Sequence, residues 1–172
     1  MMNLFMPDYM LDSVFDITPD FLKCLDIRAV IFDIDNTLVP HNHPDPDVKI
    51  VDYLEKLKNN GIKIGIVSNN SQKRVSLFTK NLGVSYSYKS GKPKKGSLDA
   101  VSGSFMLEPS HIALVGDQIF TDILAAKREG IISILVSPID ISKENLFIRL
   151  KRFFERPLIS ACRKKMSLKS KI

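Results

Sequence analysis

Short β-forming runs alternate with segments of helical period along most of this 172-residue chain. The runs are RAVIFDI (28–34), IKIGIVS (62–68), VSYSY (84–88), HIALVGD (111–117) and ISILVSP (132–138). Between the first two, DPDVKIVDYLEKLKNNG places Val48, Val51, Leu54 and Leu57 at steps of three, and Gly61 follows as a stop. Helices are also predicted over 71–82, over 94–106 (weakened by Gly103) and over TDILAAKREG. Strands that alternate with helices pair in parallel, because each crossover returns the chain to the same end of the sheet. The expected fold class is therefore α/β, a central parallel sheet with helices on both faces.

Polar residues gather at the carboxyl ends of those strands, where open parallel sheets bind ligands. Asp33 and Asp35 end the first, Ser68, Asn69 and Asn70 the second, and Gly116 and Asp117 the fourth. A lone aspartate after a strand is an ordinary cap or turn residue. Several strands delivering polar groups to one sheet edge point instead to a site.

The residue types suit phosphoryl chemistry. A carboxylate of ordinary pKa, ~3.9, is ionised at neutral pH and can attack phosphorus to give an aspartyl-phosphate. Asp33 is the candidate nucleophile. Asp35, two residues on, faces the same side of an extended chain and can protonate the leaving oxygen, then activate water. A magnesium ion touching nucleophile and phosphate would offset their repulsion. Asp33, Asp35, Asp117 and Asp122 are its candidate ligands. Ser68 and Lys92 are candidate catalytic groups for the transferring phosphoryl, and Thr37 and Asn69 join them as candidate phosphate contacts. Lys94 and Lys95 stand close enough in sequence to compete with Lys92. His41 and His43, in HNH, lack further ligands at metal spacing and read as solvated loop histidines.

These segments resemble the haloacid dehalogenase-like superfamily. DIDNT matches its DxDxT motif, IVSNN the second motif with Ser68, GKP the third with Lys92, and GDQIFTD the fourth with Asp117 and Asp122. The resemblance implies a Rossmann-like three-layer sandwich, magnesium dependence and phosphoryl transfer through Asp33. The short spacings between motifs leave no room for a large cap domain, which is similar to the capless subfamily III. PDYMLDSVFDI, DIDNTLVPHNHPDP, SNN, GKP and VGDQIFTDILAAKREG together resemble the YqeG family and the related mitochondrial phosphatidylglycerophosphate phosphatases. That likeness implies hydrolysis of phosphatidylglycerophosphate to phosphatidylglycerol. A capless phosphatase of polynucleotide ends or sugar phosphates, and a non-catalytic binding protein on the same fold, are the alternatives.

The chain reads as one domain over 1–172, with a catalytic core over about 26–140 and a helix and basic tail over about 142–172. The net charge is +6. From Arg149 onward nine basic residues accompany one acid, a local +8 that leaves −2 for the first 148 residues. Such a tail is either a solvated extension or a surface for an anionic partner, membrane before nucleic acid. In SKENLFIRLKRFFERP, Leu146, Phe147, Leu150, Phe153 and Phe154 share one helical face, expected to pack on the sheet, with Pro157 limiting the helix. The alternative is an interfacial helix on an anionic bilayer. Leu4, Phe5, Met6, Tyr9 and Met10 are candidates for insertion at the same interface. No apolar run approaches the ~18 residues of a membrane span. The acidic N-terminus lacks the features of a secretory signal. Cys24 and Cys162 form no metal or disulfide pattern, so the expected location is a reducing cytoplasm, with peripheral contact to the inner face of the membrane. Oligomeric state is not legible.

Overall fold

The computed structural model describes residues 4–41 and 43–169, with the side chains of 167–169 excepted. Six strands form one parallel sheet in the order β1-β6-β5-β2-β3-β4. They are β1 (Tyr9–Leu11), β2 (Ala29–Phe32), β3 (Lys63–Val67), β4 (Ser85–Ser87), β5 (Ile112–Gly116) and β6 (Ile132–Val136). The helices are α1 (Pro19–Cys24), α2 (Val48–Asn59), α3 (Gln72–Thr79), α4 (Asp99–Ser102), α5 (Leu124–Glu129) and α6 (Leu146–Lys169). The result is a Rossmann-like α/β sandwich without a large cap.

Alternation along the strands divides the core between the two faces, as a period of two requires. Val30, Phe32, Ile64, Ile66, Ala113 and Val115 face one layer, against Tyr53, Leu54, Leu57 and Phe78 of α2 and α3. Ala29, Ile31, Ile112 and Leu114 face the other, against Leu98, Val101, Phe105, Ala125 and Ala126. Local chemistry starts the first of these helices: the Asp47 side chain accepts from Ile50 N at 2.8 Å, capping α2.

β2 pairs with β3 on one side and with β5 on the other. The chain order reverses there, and such a switch point opens a crevice beyond the strand ends. The residues that leave β2 in this crevice are Asp33 to Thr37.

The structure corrects four expectations. The strand β1 was not foreseen. It pairs with β6 at the edge of the sheet and leaves Tyr9 and Met10 half-buried. Tyr9 meets Phe21 edge-to-face at 5.6 Å, and Phe5 meets Phe120 at 5.7 Å. Residues 94–106 yield only the one-turn α4 and a 3-10 turn over Gly103–Phe105, which Met106 ends in the left-handed region at φ 53°. Pro157 does not limit α6, which runs through it to Lys169. Proline leaves the carbonyl four residues earlier, on Phe153, without its donor, but both residues are exposed and water can serve that carbonyl.

The fourth correction concerns which face of α6 is buried. The apolar face points outward: Leu146, Phe147, Leu150, Phe153 and Phe154 are 82, 69, 55, 64 and 56% exposed. The inward stripe is Ile148, Arg152, Glu155, Ile159 and Cys162, at alternating steps of four and three. Its far end packs with Ile119, Ile123 and Leu135 through Leu158 and Ile159. Its near end is charged, and what it meets is the acidic crevice.

Candidate active site

A cavity of about 400 Å3 opens at the switch point. Asp33, Asp35, Ser68, Asn69, Lys92 and Asp122 line it, so the topology brings most of the sequence-predicted residues to one place. Asp33 and Asp35 reach it from a loop rather than from a continuing strand. β2 ends at Phe32, and Asn36 turns the chain at φ 65°.

Lys92 lies buried between two aspartates, with Nζ 2.7 Å from Asp33 Oδ1 and 2.7 Å from Asp122 Oδ1. It also donates to Val67 O at 2.9 Å. Lys94 and Lys95 are exposed, so of the three it is Lys92 that reaches Asp33. Asn69 Nδ2 donates to Lys92 O at 2.8 Å and fixes the lysine's loop. Ser68 is buried at the end of β3, where its Oγ accepts from Asn70 N at 3.1 Å.

Asp35 is held by residues of the second motif and the helix after it. Asn70 Nδ2 donates to Oδ2 at 3.1 Å, and Arg74 Nη2 to Oδ1 at 3.3 Å. Arg74 was not anticipated, although its position one turn into α3 places it over the loop that carries Asp35.

Asp117 is buried at the end of β5. Thr37 Oγ1 donates to its Oδ1 at 3.3 Å, which turns that hydroxyl toward Asp117 instead of the cavity wall. Arg152 of α6 engages Asp117 through both the side chain and the backbone carbonyl, and it binds Glu144 through Nε and Nη2. Glu144 in turn accepts from the Asn36 side chain. One further link joins α6 to the fourth motif: Glu155 Oε1 accepts from Phe120 N at 2.7 Å. Arg152, Glu144 and Glu155 lie outside the four motifs, and the only sequence signal for them is the stripe 148-152-155-159-162, which the neighbouring aromatic face overshadows.

Gly116 has a steric reason for its identity. A Cβ there would stand 2.3 Å from Asp122 Cγ, so only glycine lets Asp122 fold back toward Lys92. Asp122 Oδ2 also accepts from Gln118 N at 3.1 Å, in the π-helical turn Ile119–Ile123 that leads into α5.

Charge is unevenly matched in this crevice. Among the described residues, five buried carboxyl groups, of Asp33, Asp117, Asp122, Glu144 and Glu155, face two buried cations, Lys92 and Arg152. Acidic groups outnumber cations. Burial pushes Asp33 up to about 8 against the pull of Lys92, with Asp122 and Asp117 adding to the rise. Burial likewise pushes Asp117 up to about 6, opposed by Arg152. Burial works against the Lys92 ammonium, but Asp122 and Asp33 outweigh it and hold its pKa above the ordinary range. Among the described residues no three His, Cys, Asp or Glu side chains converge as a ready metal cage, because Lys92 and Arg152 stand between the carboxylates.

His41 lines the cavity and His43 is exposed in the loop that follows, while Asn42 between them lies outside the described residues. Both cysteines are free thiols.

A parallel sheet with DxDxT beyond its central strand, a buried lysine on the first aspartate and GDxxxxD beside it define a phosphatase of the haloacid dehalogenase-like superfamily. The comparisons place the chain within that class. The model of the mitochondrial PGP phosphatase family matches residues 2–139. A Bacillus subtilis (strain 168) protein, "Probable phosphatase YqeG", is 36% identical over 163 residues, covering 95% of this chain and 94% of its own length. Among solved structures, an uncharacterized protein from Listeria monocytogenes serotype 4b aligns with a TM-score of 0.54 at 22% identity, over 70% of this chain and 86% of that one. A hypothetical protein from Xanthomonas campestris aligns at 0.52 and 17% identity, over 80% and 77% of the two chains. The structural likenesses show the shared fold. The chain belongs to the mitochondrial PGP phosphatase family and is a phosphomonoester hydrolase.

Proposed function

We propose that this enzyme removes the terminal phosphate of phosphatidylglycerophosphate, leaving phosphatidylglycerol, through an aspartyl-phosphate on Asp33. The observation that carries the lipid assignment is α6: its apolar face is turned to solvent while Phe147, Ile148 and Lys151 of the same helix line the cavity that holds Asp33. An exposed apolar patch beside an open site suits a substrate embedded in an interface. The family name supports the same substrate.

Magnesium fits the crevice. The donors are hard carboxylate oxygens, and buried carboxyl groups outnumber buried cations around them. Asp33 and Asp117 would hold it, the ion competing at Asp117 with Thr37 and Arg152, which engage its two oxygens. When bound, the ion would offset the repulsion between carboxylate and phosphate.

The protein groups then act in sequence. Lys92 occupies Asp33 Oδ1, so Oδ2 attacks phosphorus and the bond to the glycerol oxygen breaks. Asp35 gives that oxygen its proton. Ser68 holds a phosphoryl oxygen through the transfer, while Lys92 keeps Asp33 aligned and lends its positive charge to the site. Asp35 next takes a proton from water, the water attacks phosphorus, and phosphate leaves with Asp33 restored.

The test is phosphate release from a panel: phosphatidylglycerophosphate in mixed micelles, a 5′-phosphorylated oligonucleotide, and sugar phosphates. The lipid is expected to lead in kcat/KM by about 100-fold, the size of two good charged contacts used only by the right substrate. An oligonucleotide or sugar phosphate in first place would overturn the substrate assignment.

Membrane contact through α6 has its own check. No helix among the described residues is long and apolar enough to cross a membrane. The exposed aromatic pair Phe153 and Phe154, with exposed Arg149 and Arg156 on the same helix, is placed to lie on an anionic bilayer. The double substitution Phe153→Ser, Phe154→Ser is expected to lower co-sedimentation with phosphatidylglycerol vesicles by about tenfold or more. Unchanged sedimentation would remove α6 from the membrane.

A further inference from the structure

Catalysis at Asp33 accounts for only one end of the cavity. Its volume of about 400 Å3 lies in the range of small-molecule sites, about 300–1,000 Å3, and exceeds what a phosphoryl group fills. The rest of its lining comes from the start of α6: Asn145, Phe147, Ile148 and Lys151. Asn145 caps that helix, its side chain accepting from Ile148 N at 2.9 Å. Phe147 and Lys151 are one turn apart and share a side of the helix, with Nζ 5.3 Å from the ring centroid.

The lysine and arginine charges in and around this crevice differ in how they are used. Lys92 is spent on Asp33 and Asp122, Arg152 on Asp117 and Glu144, and Arg74 on Asp35. Lys151 is half-buried and makes no ion pair among the described residues. An ammonium left unpaired in the wall of a cavity, on an apolar bed, is a place for an anion.

We propose that Lys151 is a second anion subsite, a specificity residue that binds the inner phosphodiester while the terminal phosphate sits at Asp33. Phe147 and Ile148 pack against the carbon chain between the two. This deepens the function proposed above and rests on its reading of the head group. It makes the enzyme selective for substrates carrying two phosphates, because a monophosphate leaves Lys151 with nothing to bind.

Steady-state kinetics of the wild type, Lys151→Gln and Lys151→Arg test this. The substrates are phosphatidylglycerophosphate in mixed micelles, its deacylated water-soluble head group, a sugar bisphosphate, the matching sugar monophosphate, and p-nitrophenyl phosphate. For Lys151→Gln, kcat/KM on the micellar lipid and on the deacylated head group is expected to fall about 10- to 100-fold further than on the monophosphates, mainly through KM. Lys151→Arg is expected to restore most of that loss. Equal losses on all substrates, or none, would overturn the subsite. A loss on micelles that vanishes on the deacylated head group would also overturn it, assigning Lys151 to the membrane surface instead. The lipid reading can fail separately. If the wild type ignores both lipid-derived substrates, the sugar pair decides: selective loss on the bisphosphate upholds the subsite, and equal loss ends it.

Discussion

Asp33→Asn is expected to abolish phosphate release, by about 10^4-fold or more, with the fold retained. The amide oxygen can still accept from Lys92, which keeps Asp122 as its other partner at 2.7 Å. What the amide cannot do is attack phosphorus. Stability should not suffer, and the sign of the pH effect says why. Burial holds the folded-state carboxyl of Asp33 up at about 8, above its ordinary 3.8. The folded state therefore keeps the proton that the unfolded chain releases, and this group's contribution falls as pH rises from about 4 to 8. Asparagine removes that fall. In chelator-containing buffer the melting temperature of the variant should decline less steeply across this window than that of the wild type. Mass spectrometry of acid-quenched enzyme should find a phosphorylated aspartate in the wild type and none in the variant. Residual turnover within about 100-fold of the wild type would remove Asp33 as the nucleophile. Asp35→Asn should fall by the smaller factor of about 10^2–10^4 that acid–base catalysis supplies.

Most of the sheet and the acidic loop ends were legible in the sequence because they obey local rules. β2, β3 and β5 are buried on both faces, so their composition announces them without help from distant residues. Once those strands are parallel, Asp33, Ser68 and Asp117 must come to one edge, and Lys92 was found by the motif that contains it. The failures share a physical cause, which is dependence on tertiary context. β1 is three residues long, too short for any period to show, and it exists because β6 offers it an edge. α4 dwindled to one turn because Gly96 and Gly103 bracket it. The aromatic face of α6 fits the rule that apolar residues seek the core, and the fold breaks that rule. Here the crevice's carboxylates supply a stronger demand, that of ions for a counter-ion, and α6 answers it with Arg152. The outward aromatic face is then left to solvent or to an interface. Thr37 shows the same limit on a smaller scale: its place in DxDxT was clear, but only the fold shows that its hydroxyl serves Asp117.

Arg152 supplies the second large effect. Replacing it with methionine leaves Asp117 and Glu144 buried together without the cation that joins them. Removing one partner from a buried ion network costs about 3–5 kcal/mol, far more than the loss of a surface pair. At about 2–4 °C per kcal/mol for a chain of this size, the melting temperature should fall by roughly 10 °C. Arg152→Lys should recover part of this, since an ammonium keeps the charge but cannot span Asp117, its carbonyl and Glu144 as the guanidinium does. Magnesium separates this account from simple helix loosening. With Arg152 gone, Asp117 and Glu144 lose the cation they share, so added magnesium should raise the melting temperature of Arg152→Met by more than it raises that of the wild type. A helix that merely packs would lose stability to the same extent with and without the ion. If Arg152→Met melts like the wild type in both conditions, α6 is an appendage and the crevice is complete without it. If the loss is large and magnesium recovers part of it, the last helix of the chain belongs to the active site, and the same helix carries the aromatic face beside its mouth.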